Sequence, residues 1–169
     1  MRHYWKYFTW LTVFFGVTTL AAQGIDKDLL AIQHRMDSVA YFKANLTMTV
    51  DISFIKMPVK NAVITYQKGK RMQISTQDFA LLPKRGLDFS LNSLTDYPFL
   101  TVDRGKESKG GHWCKVLNVI PTDARADFSI ATVWLDMALR RLQASEINTK
   151  KEGTYQVLLQ YEKTQDLLP

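Results

Sequence analysis

Within residues 44–55, ANLTMTVDISFI, the ten residues 45–54 alternate without a misplaced side chain. Leu46, Met48, Val50, Ile52 and Phe54 fall on one face, and Asn45, Thr47, Thr49, Asp51 and Ser53 on the other. Successive side chains of a β-strand point to opposite faces, so this period of two predicts a strand with one apolar and one wet side. Such a strand needs hydrogen-bonding neighbours and a cover for its apolar face.

The same period recurs downstream. Pro58 and Asn61 mark a turn, Ala62, Ile64 and Tyr66 alternate, and QKGK offers Gly69 for a positive φ. Met72 and Ile74 resume the alternation, so residues 58–76 predict a hairpin with a basic turn. YPFLTV and GHWCKVLNVI predict two more strands around a polar loop, DRGKESKGG. That loop lacks P-loop order and a strand–loop–helix frame, so it reads as a solvated turn. DFSIATVWLD offers Phe128, Ile130 and Trp134 to one face, and LRRLQASEINT predicts a more polar strand. After a turn at KKEGT, TYQVLLQYEK alternates Tyr155, Val157, Leu159 and Tyr161 against glutamines and a glutamate. The closing QDLLP reads as a connection toward a further strand.

A helical period occurs twice. In residues 25–43, Leu29, Ile32, Met36, Val39 and Phe42 recur at three- and four-residue steps, with Asp26 and Asp28 suiting the dipole of the first turn. In residues 79–96 a short strand and a loop at Pro83 and Gly86 precede Leu87, Leu91 and Leu94 at helical steps. The fold class is therefore α+β, mainly antiparallel β, with an N-terminal helix and a short inserted one.

The first 22 residues combine a basic start (Arg2, Lys6), an apolar run from Phe8 to Leu20, and Ala21–Ala22. This is the layout of a cleaved secretory signal, and the run is too short and threonine-rich for a permanent span. Residues 23–169 then form a single exported domain. Residues 1–22 hold two of the 22 basic residues and none of the 16 acidic ones, which leaves an excess of only four positive charges. That suits a basic rim near anionic lipid better than a nucleic-acid binder. The single cysteine, Cys114, forms no internal disulfide and reads as a buried small hydrophobe.

Chemistry is sparse. Of three histidines, His3 lies in the leader, and His34 and His112 lack partners at metal-ligand spacing. No serine lies in a Gly-x-Ser-x-Gly elbow, and Asp136, the one carboxylate weighed as an acid or base, reads first as the opener of a β-turn. The chain therefore reads as a non-enzyme without cofactor or metal. What exceeds ordinary need is the apolar face of the strands, with Met48, Met57 and Met72 in or beside it. Flexible thioethers suit an adaptable surface, although from composition alone the same face reads first as core beneath the first helix.

The order of parts resembles the periplasmic lipoprotein-carrier superfamily, the LolA-like, LolB-like and RseB N-terminal-like domains. The residues that carry the resemblance are the leader, the helix, the long alternating strand, the hairpin YQKGKRMQI and the stretch ATVWLDMALRRLQASEINTKKEGTYQVLLQYE. It implies a curved half-barrel sheet whose mouth is covered by helices. It also implies a monomeric carrier that shelters acyl chains of lipoproteins or other lipids during outer-membrane lipoprotein sorting. The lipid-facing residues would be Leu46, Met48, Val50, Ile52, Phe54, Ile64, Tyr66, Met72, Ile74 and Trp134, with Lys68 and Arg71 at the rim in the place of the family's lid-holding arginine. The alternative on the same fold is a non-catalytic envelope sensor or scaffold that binds a protein partner, such as an envelope membrane protein.

Overall fold

A computed structural model describes residues 24–48, 51–52, 55–56, 59–70, 73–76, 91–151 and 153–161. Residues 1–22, expected as a leader, together with Val50, Phe54, Met57, Arg71, Met72 and the short strand, loop and Leu87 expected over 79–90, lie outside the described residues. Helix α1 spans Lys27–Asp37 and is followed by strands β1 (Tyr41–Met48), β2 (Asp51–Ile52), β3 (Ile55–Lys56), β4 (Lys60–Gln67) and β5 (Gln73–Thr76). Helix α2 (Asn92–Thr95) precedes β6 (Phe99–Lys109), β7 (His112–Pro121), β8 (Phe128–Asp136), β9 (Arg141–Thr149) and β10 (Thr154–Leu158). Every pairing is antiparallel, in a three-stranded sheet β1-β4-β5, a small β2-β3 ladder and a five-stranded meander β10-β9-β8-β7-β6. The α+β class holds, and the described sheets do not close into a barrel.

Helix α1 forms where its apolar stripe can be buried. Leu29, Ile32 and Met36 lie at most 6% exposed and pack on Leu117, Val119, Val133, Leu135 and Leu142 of the five-stranded sheet. Each such side chain contributes about 2 kcal/mol relative to exposure. Leu91 and Leu94 of the inserted helical turn join the same core. Asp26 caps the helix by accepting N–H bonds from Asp28 and Leu29.

The helix is shorter than its period of apolar residues predicts. It stops at Asp37, where Ser38 Oγ donates to the Arg35 carbonyl and the Ser38 N–H donates to Arg35 as well. Phe42 then serves β1, stacking on the Tyr66 ring at a centroid distance of 5.2 Å. An aromatic, β-prone segment next to a ready ladder partner outcompetes another helical turn.

The strand expected over 46–54 is likewise divided. Its register with β4 begins at Tyr41 and ends at Met48, because the chain must reverse before Lys60 to pair Met48 with Lys60. Asp51 and Ile52 pair instead with Lys56 and Ile55. Asn61, expected in a turn, is a ladder residue opposite Thr47, whose hydroxyl bonds its side chain at 3.1 Å.

The segment expected as a long polar loop, DRGKESKGG, is mostly strand. The β6–β7 ladder continues to Lys109 opposite His112 after an irregularity between Asp103 and Lys106, and only Gly110 and Gly111 (φ 58° and 82°) make the turn. Two consecutive positive φ values allow a two-residue reversal, so no longer loop is needed. The strand expected to be polar, β9, has its first five residues buried because β8 and β10 flank it.

Candidate functional site

The three-stranded sheet builds one apolar face from the expected alternation. Cross-strand pairs Phe42–Tyr66, Ala44–Ile64, Leu46–Ala62 and Ile64–Ile74 share a side. Along β1 the members of this face are half-buried, while Tyr41, Lys43, Asn45 and Thr47 on the other face are exposed. Ile64, on the central strand, is 1% exposed. The structure thus brings together Leu46, Ile64, Tyr66 and Ile74 of the sequence-predicted lipid face. Met48 closes β1 and Ile52 lies in β2.

Trp134 is elsewhere. It belongs to β8, on the side of the five-stranded sheet opposite α1, where it clusters with Cys114, Val116 and Ala144. An irregularity between Phe128 and Ile130 separates the trio expected on one face: Phe128 joins the α1 core, while Trp134 points away from it. A bulge of this kind offsets the period of two by one residue and leaves no mark on the pattern of residue types.

Lys68, expected at the rim, follows β4, and its Nζ donates to the Asp37 carbonyl at 3.0 Å. Its backbone N–H donates to the Ala40 carbonyl at 2.8 Å. The hairpin turn is therefore tied to the end of α1, where a cation suits the helix dipole. Gly69, with φ 79°, supplies the left-handed residue of that turn.

Helix α1 is fastened at several points beyond its core contacts. Lys115 of β7 reaches Asp26 and Asp28 at 2.7 and 2.8 Å. Burial opposes the charged form of Asp26, but the Lys115 bond and two backbone N–H bonds outweigh it and hold the carboxyl below its ordinary value. Burial likewise opposes the charge on Lys115, and the two carboxylates outweigh it and raise the Lys115 pKa. Thr101 Oγ1 accepts from the Asp26 N–H and donates to the Gly24 carbonyl. At the other end, Arg35 donates to the carbonyls of Leu139 and Arg140. Gln33 Nε2 bonds Thr95 Oγ1 of α2 at 2.7 Å. Sequence reasoning missed this fastening, since Lys115 and its carboxylates are almost ninety residues apart.

His112, weighed as a metal ligand, and Asp136, weighed as an acid or base, do meet. His112 Nδ1 lies 2.9 Å from Asp136 Oδ2, and Asp136 is 2% exposed. The other carboxylate oxygen of Asp136 accepts the N–H groups of Ala138 and Leu139, so it opens the 137–140 turn. Cys114 lies opposite Asp136 in the ladder, fully buried. Burial, reinforced by the Asp136 charge, pushes its thiol up to about 11. A neutral, enclosed thiol is a poor nucleophile, so this arrangement fastens a turn. Among the described residues no three His, Cys, Asp or Glu side chains gather to hold a metal ion.

A cleft of about 310 Å³ lies on the Trp134 side of the five-stranded sheet. Val116, Thr132 and Trp134 line it, and Arg104, Lys106, Glu107 and Glu146 surround them. The tip of the β6–β7 hairpin comes close to this side. Lys109 Nζ lies 4.3 Å from the centre of the Trp134 ring. A Cβ on Gly110 would come within 2.9 Å of Gln143 Nε2 in β9 and 3.3 Å of Leu158 in β10.

No family model matches the chain, and no curated protein matches it. Among solved structures, it is similar to a crystal structure described as an outer membrane lipoprotein-sorting protein domain from Vibrio parahaemolyticus. Identity is 20%, the match covers 71% of this chain and 52% of the other, and the TM-score is 0.36. The chain thus spans about half the length of that structure. At this score the likeness carries no weight, and the fold described above rests on its own strand ladders. Among the described residues no helix is long and apolar enough to cross a membrane.

Proposed function

We propose that this chain is an exported, periplasmic, non-catalytic carrier that shelters acyl chains of lipoproteins or other lipids against the apolar face of β1, β4 and β5. The observation that supports this reading is the run of cross-strand apolar pairs from Phe42–Tyr66 to Leu46–Ala62 with Ile64–Ile74 beside them. Each acyl CH₂ taken from water gains about 0.8 kcal/mol, so a wall of this kind holds a chain without directional bonds. The site is placed here rather than beneath α1, because α1 is bonded to the sheet at both ends and its apolar stripe is already filled. On this reading Lys68 and Arg71 are the rim residues, and Met48, Val50, Ile52, Phe54 and Met72 are further candidates for acyl contact in a curved half-barrel.

The test is lipid extraction and mass spectrometry of protein recovered from the periplasm, with displacement of a fluorescent fatty acid. Bound acyl species and saturable uptake are expected, and Ile64→Asp should weaken uptake at least tenfold. A protein that carries no acyl species and takes up no fatty acid would refute the reading.

A second reading, an envelope scaffold that binds a protein partner, draws on one observation. Trp113 is 73% exposed beside the β6–β7 turn, and exposed tryptophan is a common anchor of protein interfaces. That reading requires Trp113→Ala to abolish partner crosslinking while lipid uptake is unchanged.

A further inference from the structure

Beyond the proposed acyl site, we infer that the cleft on the Trp134 side of the five-stranded sheet binds a small zwitterion, one ammonium and one oxyanion group a few ångströms apart. Three features of the cleft carry this.

The first is an unmet donor. Trp134 is 7% exposed, and its indole N–H has no hydrogen-bond partner among the described residues. A buried N–H without an acceptor costs about 1–3 kcal/mol, and a bound oxyanion would meet it once the side chains that enclose it part.

The second is charge of both signs around one floor. The ladder puts Val116 opposite Trp134, and Thr132 opposite both Asn118 and Glu146, so these residues share the face away from α1. Glu107 pairs with Cys114 of the same face. Around them stand Arg104 and Lys106, the carboxylates of Glu107 and Glu146, and Lys109, whose ammonium lies over the Trp134 ring. A simple anion would meet two carboxylates, and a simple cation would meet Arg104, Lys106 and Lys109. A zwitterion satisfies both sets, with Arg104 and Lys106 on the oxyanion and the carboxylates on the ammonium.

The third is that part of the lining is already held in place. Gln156 Nε2 donates to Glu146 Oε2 at 2.8 Å, and Thr132 Oγ1 donates to Asn118 Oδ1 at 3.1 Å. Gly105, with φ 89° and its N–H bonded to Asp103 Oδ1 at 2.7 Å, fixes the irregularity in β6 beside Arg104. Such fixing lowers the ordering cost of binding. The volume, about 310 Å³, admits a molecule of this size.

The chemistry has two sources, a free solute and the headgroup of a lipid, and the experiment separates them. The full chain is labelled with ¹⁵N-tryptophan, and the Trp134 indole resonance is assigned from Trp134→Phe. O-phosphoethanolamine should shift that resonance saturably, whereas inorganic phosphate and ethanolamine separately should do so at least tenfold more weakly. Arg104→Gln and Glu146→Gln, both at polar positions around the cleft, should each weaken the shift tenfold or more. Vesicles of phosphatidylethanolamine that compete for the site identify a lipid headgroup, and vesicles that do not compete identify a free solute. No shift with any probe overturns the inference. So does a shift that phosphate alone reproduces, or one that survives both variants. Because the probe has no acyl chain, the result is independent of fatty-acid uptake at the three-stranded sheet.

Discussion

Lys115 binds both carboxylates at the start of α1, and its environment gives a pH dependence of known sign. The Asp26 pKa is depressed in the fold, so its stabilisation is present above the ordinary aspartate value of about 3.9 and is lost as pH falls through the folded value. The Lys115 pKa is raised, so its share is present below about 10.4 and is lost as pH rises through the folded value. The urea midpoint should therefore drop on acidification below about pH 4, and Asp26→Asn should flatten part of that drop. Lys115→Met should cost about 1–3 kcal/mol at neutral pH, since it leaves two carboxylates facing each other without their cation. A midpoint unchanged by Lys115→Met would show that the core contacts of α1 suffice. Glycines give a second residue-scale test. Gly69 and Gly110 both have positive φ, but only at Gly110 would a Cβ meet other side chains. Gly69→Ala should cost about 1 kcal/mol from backbone strain alone, and Gly110→Ala more, in thermal or urea unfolding.

At the scale of elements, α1 and the three-stranded sheet are expected to answer different questions. Leu29 is wholly buried against the five-stranded sheet, so Leu29→Ala should destabilise by about 2–5 kcal/mol. Fatty-acid affinity of the folded fraction should stay within about twofold, because a shortened side chain in a filled core alters the energy of folding rather than a distant wall. Leu46→Asp should do the reverse, lowering uptake at a half-buried strand position with a smaller effect on the urea midpoint. Equal loss of uptake in both variants would move the ligand under the helix. The same elements show what was legible in the residue order. The hairpin of β4 and β5 could be read, because alternation and a glycine turn are local signals. The end of α1 could not, since Phe42 continues the helical period and is claimed by β1 only through its partner Tyr66. Nor could the side on which Trp134 stands, which depends on an irregularity in the β8–β9 ladder. The cleft was illegible for a related reason: Arg104, Trp134 and Glu146 lie on three strands, and only register brings them to one surface.

For the molecule as a whole, buried contact is unevenly shared between the two larger sheets, and this sets an order of opening. The five-stranded sheet carries Leu117, Val119, Ala131, Val133 and Leu135, each at most 1% exposed, beneath a helix bonded at both ends. In the three-stranded sheet, Ile64 is the one fully enclosed large side chain among the described residues, and its neighbours on β1 are half-buried. Local opening is easiest where fewer apolar contacts oppose it, so native-state hydrogen exchange should be slowest in β7, β8 and β9 and faster in β1, β4 and β5. On the proposed reading the acyl site would draw on this difference, because a wall that opens at low cost can admit and release a chain while the rest of the fold stays closed. Saturating fatty acid should then slow exchange in β1, β4 and β5 by the linkage between binding and opening, roughly a hundredfold at a hundred times Kd if binding requires the closed sheet. The amides of α1 and of the central β7 and β8 should be unchanged. Slowing confined to α1 and the sheet beneath it would instead mean that the helix parts from its core to take the ligand, against the bonds that Lys115 and Arg35 make at its two ends.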